Sequence, residues 1–152
     1  MSQLADRTAW IELSGQPDAP RFFRSLLDLF PGASTIFIEV GGPDDEVSAI
    51  YRSRAQEGPY LPARQTLWPK ARTFRLEFCA ATLGSLSILA ERRATPELAD
   101  HLSVFEGGEA LLHYPDAFAP DAVVYLSASV PIQRLRDWAT PLGLEIRDPD
   151  FG

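Results

Sequence analysis

The chain has 152 residues with a formal net charge of −7, and 45% of its residues are hydrophobic and 23% charged. These fractions are typical of globular proteins and exclude a disordered chain, while the length is sufficient for a core without cross-links. The single cysteine, Cys79, excludes an intrachain disulfide, and no signal peptide or membrane-spanning run is recognisable, which predicts a cytoplasmic location. The thirteen arginines against one lysine are typical of a GC-rich bacterial genome.

The predicted elements alternate between strands and helices along most of the chain. Short or alternating apolar runs predict strands, and apolar residues three and four apart predict helices. In chain order these are a strand at 8–14, a helix from the Asp18 cap to Pro31, a strand at 35–40, a helix from Asp44, a strand at 73–79, a helix over 83–93, a hairpin of 101–105 and 110–114 around Gly107-Gly108, a strand at 122–127, a helix from Val130 and a strand at 144–147.

This order predicts an α/β fold of mixed α+β type in a single domain over residues 1–152. We expect a mixed sheet of six or seven short strands with four helices packed on it and one hairpin around Gly107-Gly108. Residues 56–72 show no period and contain three prolines, which predicts a long loop.

The charge is unevenly distributed along the chain. Residues 1–96 contain eleven acidic and eleven basic residues, whereas residues 97–152 contain ten acidic residues and only three arginines. Between Arg52 and Arg75 the balance is reversed, with six basic residues and one glutamate. Such an uneven charge distribution can influence which partners the protein binds and how it associates with them. The alternative is that the charges cluster by chance on a solvated surface.

The acidic region includes the predicted hairpin, whose two-residue turn makes Glu106 and Glu109 cross-strand neighbours. With Asp116, they form a candidate surface for a basic protein partner, as in small acidic inhibitor or immunity proteins. The first functional hypothesis is therefore a non-catalytic binding protein. The alternative role of these charges is to keep the sheet edge soluble.

A second hypothesis is a small enzyme or a protein that binds an anionic ligand in a pocket beneath residues 56–72. Arg64, Trp68 and Arg72 are its candidate ligand-binding residues. Nucleic acid is disfavoured because the isoelectric point is near 4.8. The basic loop, residues 52–75, and the acidic third, residues 97–152, could also pair with each other, either within the fold or across a homodimer. The third hypothesis is a purely architectural subunit or dimerisation module.

The two histidines are tested as a metal pair through the hairpin register. If Glu106 faces Glu109 and the register continues, His101 lies opposite Tyr114 and His113 opposite Leu102. The two rings then lie on different faces of the sheet and cannot share a metal, although a bulge that shifts the register by one would bring them to the same face. We therefore predict neither a metal site nor a cofactor.

Catalytic motifs are absent from the sequence. There is no Gly-x-Ser-x-Gly or His-Glu-x-x-His run, and Asp44, Asp45 and Glu46 follow the Gly41-Gly42 turn, where they would repel a phosphate. Cys79 lies between a strand and a helix, where a helix N-terminus could lower the pKa of a reactive thiol, but its apolar neighbours favour a buried, inert cysteine. No residue is assigned a catalytic role.

Overall fold

The computed structural model describes residues 10–56 and 72–147, and it confirms the predicted α+β class with four helices and one seven-stranded sheet. The strands are β1 (Trp10–Ser14), β2 (Thr35–Val40), β3 (Arg72–Glu77), β4 (His101–Glu106), β5 (Glu109–Pro115), β6 (Val123–Ser127) and β7 (Glu145–Arg147). The helices are α1 (Ala19–Leu29), α2 (Asp45–Ser53), α3 (Ala80–Arg92) and α4 (Ile132–Ala139), with 3-10 turns at Thr95–Glu97 and Thr140–Leu142. None of these helices has the length and apolar character needed to cross a membrane.

The sheet has the strand order β3-β2-β4-β5-β6-β1-β7, and every pairing between described strands is antiparallel. A mixed sheet was expected because helical crossovers usually join adjacent parallel strands. Here the crossover through α1 joins β1 and β2, but β4, β5 and β6 lie between them. Similarly, β1 lies between β6 and β7, which are joined through α4.

Helix α1 begins where the sequence predicts. The Asp18 carboxylate accepts a hydrogen bond from the Arg21 backbone N–H at 3.1 Å, and Pro20 lies in the first turn, where its missing N–H breaks no helical bond. Helix α1 packs on α3, and Arg24 Nη1 donates to Ser87 Oγ at 2.8 Å across this contact. The polar side of α1 therefore helps to fix the helix pair.

Helix α2 is capped by its own acidic residues. Asp44 Oδ1 accepts from the Val47 N–H at 3.0 Å, and Asp45 and Glu46 complete a negatively charged first turn. The end of α3 supplies the matching cations, since Arg92 pairs with Glu46 at 2.9 Å and Arg93 pairs with both Asp44 and Glu46. The N-terminus of α2 is thus occupied by the protein's own charges, as the sequence predicts.

The core lies between one face of the sheet and the four helices. Every helix contributes buried side chains to a single apolar cluster. An aromatic group is at its centre, where the Phe118 ring lies 5.2 Å from Phe22, 5.6 Å from Phe23 and 5.1 Å from Tyr114. Phe118 adopts φ = +68°, a conformation that costs a bulky residue about 1–3 kcal/mol. Burial of its ring, which is only 4% exposed, offsets that cost.

The hairpin register is as predicted at the turn and wrong beyond it. Glu106 pairs with Glu109 and Phe105 with Ala110, but a β-bulge then shifts the register so that Val104 pairs with Leu112. The bulge allows two consecutive residues, Leu111 and Leu112, to enter the core together, at 6% and 0% exposure. Regular alternation would have turned one of these leucines away from the core.

The shifted register reverses the prediction for the histidines. His113 pairs with Ser103, and His101 pairs with Pro115. Both rings therefore lie on the same face of the sheet, with one residue pair, Leu102 and Tyr114, between their positions along the two strands. The expectation that they lie on opposite faces is wrong, because burial of Leu111 outweighs the regular alternation that a Gly-Gly turn favours.

Replacement of Phe118 by Ala should lower the free energy of unfolding by about 3–5 kcal/mol, because the core loses a large ring that its neighbours cannot replace. Urea unfolding followed by circular dichroism measures the change. Ile88→Ala is the control, since Ile88 is 54% exposed on α3 and its loss should change stability by less than about 0.5 kcal/mol. Similar losses in both variants would contradict the role given to the Phe118 ring.

Candidate functional site

The tip of the β4–β5 hairpin carries two adjacent carboxylates. Glu106 and Glu109 are direct cross-strand partners, and both are exposed. Gly107 makes the turn with φ = +60°, and its N–H donates to Ser34 Oγ at 3.0 Å, which fixes the tip against the start of β2. Like charges placed directly opposite each other destabilise a strand pair. We call Glu106 to Glu109 the hairpin tip.

Asp116 is not part of this tip. It follows Glu109 by the length of β5, roughly 20 Å at about 3.3 Å per residue, and so lies at the opposite end of the sheet. Its backbone has φ = +51°, and its N–H donates to His101 Nδ1 at 2.9 Å. Of the three predicted partner-binding residues, the structure therefore brings together only Glu106 and Glu109.

The second predicted site falls mostly outside the described residues. Arg64 and Trp68 belong to the part of the 56–72 segment that the structure does not describe, so the pocket hypothesis stays a prediction. Arg72 is the first residue of β3 and is exposed. Gln56 is the last residue that the structure describes before residues 57–71. Its Nε2 donates to the Ser34 carbonyl, and its Oε1 accepts from Thr35 Oγ1.

The predicted pairing of the basic loop with the acidic third is not seen in residues 10–56 and 72–147. The ion pairs there link α3 to α1 and α2 and Arg93 to Glu97. In this part of the molecule, Glu106, Glu109 and Asp116 form no ion pair. Most of the basic loop, residues 57–71, lies outside the described residues, so its pairing with the acidic third stays a prediction.

The face of the sheet opposite the core is the second feature of interest, and we call it the helix-free face because none of the four described helices packs on it. One row of side chains crosses it, each the cross-strand partner of the next: Arg147, Glu12, Tyr125, His113, Ser103, Phe37 and Arg75. Cross-strand partners share a face, so the whole row points away from the core. Of this row, the sequence singles out only His113, as half of a possible metal pair, and it predicts no site at the other residues of the row or at Trp10.

His101 lies beside this row, between a backbone donor and a buried carboxylate. Its Nδ1 accepts from the Asp116 N–H, so the proton of the neutral ring is on Nε2. Nε2 lies 3.7 Å from Oε1 of Glu39, a residue that is only 4% exposed. The ring therefore lies between the turn after β5 and strand β2.

His113 is held by a hydroxyl and two aromatic rings. Its Nδ1 lies 2.8 Å from Ser103 Oγ, and its ring centroid is 5.0 Å from Trp10 and 6.2 Å from Phe105. Burial lowers the pKa of His113 below its ordinary value because the charged ring loses solvation. The ring is therefore held neutral near pH 7, in a fixed orientation on the helix-free face.

The Ser103–His113 distance is that of a nucleophile and its base, but the surroundings do not support acyl transfer. Strand β4 is paired on both sides, by β2 and β5, so its backbone N–H groups bond within the sheet and are not aimed at a developing oxyanion. Among the described residues, no carboxylate bonds the His113 ring to orient it. The pair thus positions the ring on the sheet.

The described residues contain no group of three His, Cys, Asp or Glu side chains able to hold a metal ion. His101 and His113 share a face, but each ring is engaged by a different neighbour, Asp116 in one case and Ser103 in the other. The same-face placement therefore does not create a metal site within this part of the chain.

Cys79 differs from the buried, inert thiol that the sequence predicts. It is only partly buried, at the N-cap of α3, and its Sγ lies 3.4 Å from Thr82 Oγ1. Hydrogen bonds from the Thr82 side chain and backbone lower the pKa of Cys79, because they favour the thiolate. The expected burial is wrong, because Cys79 is only partly covered at the helix start, where the alternative prediction of a reactive thiol also placed it.

No family model, no curated protein and no solved structure matches this chain. Its function is therefore inferred from the placement and chemistry of the described residues.

Replacement of His113 by Gln should make stability less sensitive to acid. As the pH falls below about 6.5, the ordinary histidine pKa, the unfolded chain binds a proton that the buried ring resists, so the wild-type protein loses stability towards lower pH. Urea unfolding at pH 7.5 and pH 5.5 compares the two proteins. Ser103→Ala keeps the His113 ring and should lose as much stability between pH 7.5 and pH 5.5 as the wild type does. If His113→Gln lost the same amount over this range, His113 would not be the source of the acid sensitivity.

Replacement of Thr82 by Val should raise the pKa of Cys79, because the side-chain hydrogen bond that favours the thiolate is removed while the shape of the residue is kept. The rate of iodoacetamide alkylation against pH reports the midpoint directly, since the chain has one cysteine. A midpoint that does not move would show that the helix backbone alone sets the thiol pKa.

Proposed function

We propose that this is a non-catalytic binding protein that holds a basic protein partner through acidic residues of its C-terminal third, in the manner of small inhibitor or immunity proteins. The observation that supports the proposal is the exposed pair of carboxylates at the hairpin tip, Glu106 and Glu109, which face each other without a cation in the described residues. A basic partner would turn this unfavourable pair into a favourable contact.

A third exposed carboxylate extends this acidic edge. Glu77 ends β3, and it pairs with Thr35, whose other neighbour is Phe105 beside the tip. With strands about 4.8 Å apart, Glu77 lies roughly 10 Å from the β4 end of the hairpin. Strand alternation turns Glu77 to one face and Glu106 and Glu109 to the other, so the three carboxylates border one end of the sheet from both sides. We define these three residues as the acidic edge, in which Glu77 adds to the pair from the C-terminal third, and Asp116 lies outside it.

Exposed carboxylates of this kind act mainly on association. In water and salt each surface pair contributes at most about 1 kcal/mol, but a set of like charges steers an oppositely charged partner and raises the association rate. The rest of the binding energy must come from apolar or aromatic contacts next to the edge. The proposal thus requires a second contact region close to the hairpin tip.

The double variant Glu106→Gln and Glu109→Gln tests the proposal. It should bind the partner about tenfold more weakly, mostly through slower association, and should be equally or more stable because the repulsion at the tip is removed. Tagged wild-type and variant proteins are used to recover partners from the native host, and the recovered basic protein is then purified and its binding measured by biolayer interferometry.

Asp116→Asn is the matched control, since Asp116 is equally acidic and exposed but lies at the other end of the sheet. Asn also tolerates the positive φ found there. The control should bind as the wild type does. Equal affinity of the double variant and the wild type would refute the acidic edge as the contact.

A further inference from the structure

The helix-free face carries aromatic side chains where an antiparallel sheet usually presents polar ones. Sheets covered on one side alternate between apolar residues towards the core and polar residues towards water. Here Trp10, His113 and Tyr125 are all half-buried on the outer side, on the adjacent strands β1, β5 and β6. An outward cluster of large rings is typical of a contact surface.

Two of these rings are in direct contact, and the third lies on the strand beside them. Tyr125 is the direct cross-strand partner of His113, and the Trp10 ring lies 5.0 Å from the His113 ring at an angle of 40°. The bond to Ser103 fixes the His113 ring in turn. The Trp10–His113 pair is therefore pre-organised on interior strands of the sheet, which lowers the entropic cost of binding.

A carboxylate lies next to the rings. Glu12 is the cross-strand partner of Tyr125 and is two residues from Trp10, on the same side of β1. It is half-buried, and in residues 10–56 and 72–147 it forms no ion pair, although Arg147 is its partner on β7. We call Trp10, Glu12, His113 and Tyr125 the aromatic–acidic patch.

The chemistry of this patch favours a planar cation. Ring faces attract cations, and a carboxylate beside them can accept two parallel hydrogen bonds from a guanidinium group. Arginine combines both interactions, because its flat side chain stacks on a ring while its edge bonds the carboxylate, whereas the compact and strongly hydrated ammonium of lysine cannot. A phosphate backbone would instead be repelled by Glu12.

The patch is close to the acidic edge. Trp10 pairs with Ser127 at the end of β6, and β6 lies beside β5, whose first residue is Glu109. Ser127 lies level with Leu111, two residues from Glu109, so two strand spacings and two residues along β5 place Trp10 roughly 12 Å from Glu109. Strand alternation points the Glu109 side chain to the other face, so a partner reaches both around this end of the sheet. We propose that the aromatic–acidic patch binds an arginine side chain of the basic partner, so that this inference rests on the proposed function and names its second contact region.

The experiment uses three peptides as probes: acetyl-Gly-Arg-Gly-amide and its lysine and citrulline analogues. Each is titrated into the full ¹⁵N-labelled chain while amide and indole resonances are followed by NMR. The arginine peptide should shift the Trp10 indole and the Glu12 and Tyr125 amides, with a Kd on the order of 1 mM, as expected for one side chain. The lysine peptide should bind several-fold more weakly, and the neutral citrulline peptide should produce no saturable shift.

Glu12→Gln should weaken binding of the arginine peptide about three- to tenfold and should leave the spectrum of the free protein unchanged away from residue 12. A second variant, Trp10→Phe, keeps a ring at this position and assigns the Trp10 indole resonance by its loss. The double variant of the hairpin tip should bind the arginine peptide as the wild type does. Equal shifts with arginine and citrulline peptides, shifts confined to the hairpin tip, or saturable binding of oligo(dT) at the patch would each overturn the inference.

The two proposals fail in different ways. If E106Q/E109Q loses the partner but E12Q retains both partner and peptide affinity, the acidic edge stands and the patch does not. If the tip variant keeps the partner while the arginine peptide still shifts the patch resonances, the proposed function of the edge fails and the arginine site stands.

Discussion

Burial of two consecutive leucines in β5 is the constraint on which the rest of the sheet depends. Leu111 and Leu112 both enter the core, and a strand can place neighbouring residues on one side only through a bulge. The bulge sets which residues of β5 face the helices and which face away. Because β5 lies in the middle of the sheet, its register with β4 and β6 aligns the whole row of side chains that crosses the helix-free face.

This register gives the two faces different chemistry. The core face is uniformly apolar and holds the strained Phe118 among aromatic neighbours. The opposite face receives His113, Tyr125 and Trp10, with carboxylates at Glu12 and Glu39. A shift of one residue in β5 would have removed His113 from this cluster and placed its ring in the core. The candidate binding surface is thus a consequence of how the core is filled.

Local patterns predicted the elements well, because their causes are local. Asp18 and Asp44 cap their helices through side-chain bonds to the third residue that follows, and the Gly107-Gly108 turn closes the hairpin as expected. The hairpin beyond the turn was mispredicted, although the Leu-Leu pair was a readable signal. Pairing Leu102 with Tyr114 and Val104 with Leu112 keeps apolar residues together, and only a bulge permits it.

The sequence by itself determined the number and order of the elements, the α+β class, and the acidic character of the hairpin, since each follows from residues near one another in the chain. Only the tertiary structure decided the fully antiparallel strand order, because this order depends on which strand each helical connection places beside which neighbour. It also separated Asp116 from Glu106 and Glu109, and it brought Trp10, Glu12 and Tyr125 beside His113. These residues come from two distant parts of the chain, 10–12 and 113–125, and they meet because the sheet places β1 next to β6 and β6 next to β5 in a register that core packing selects.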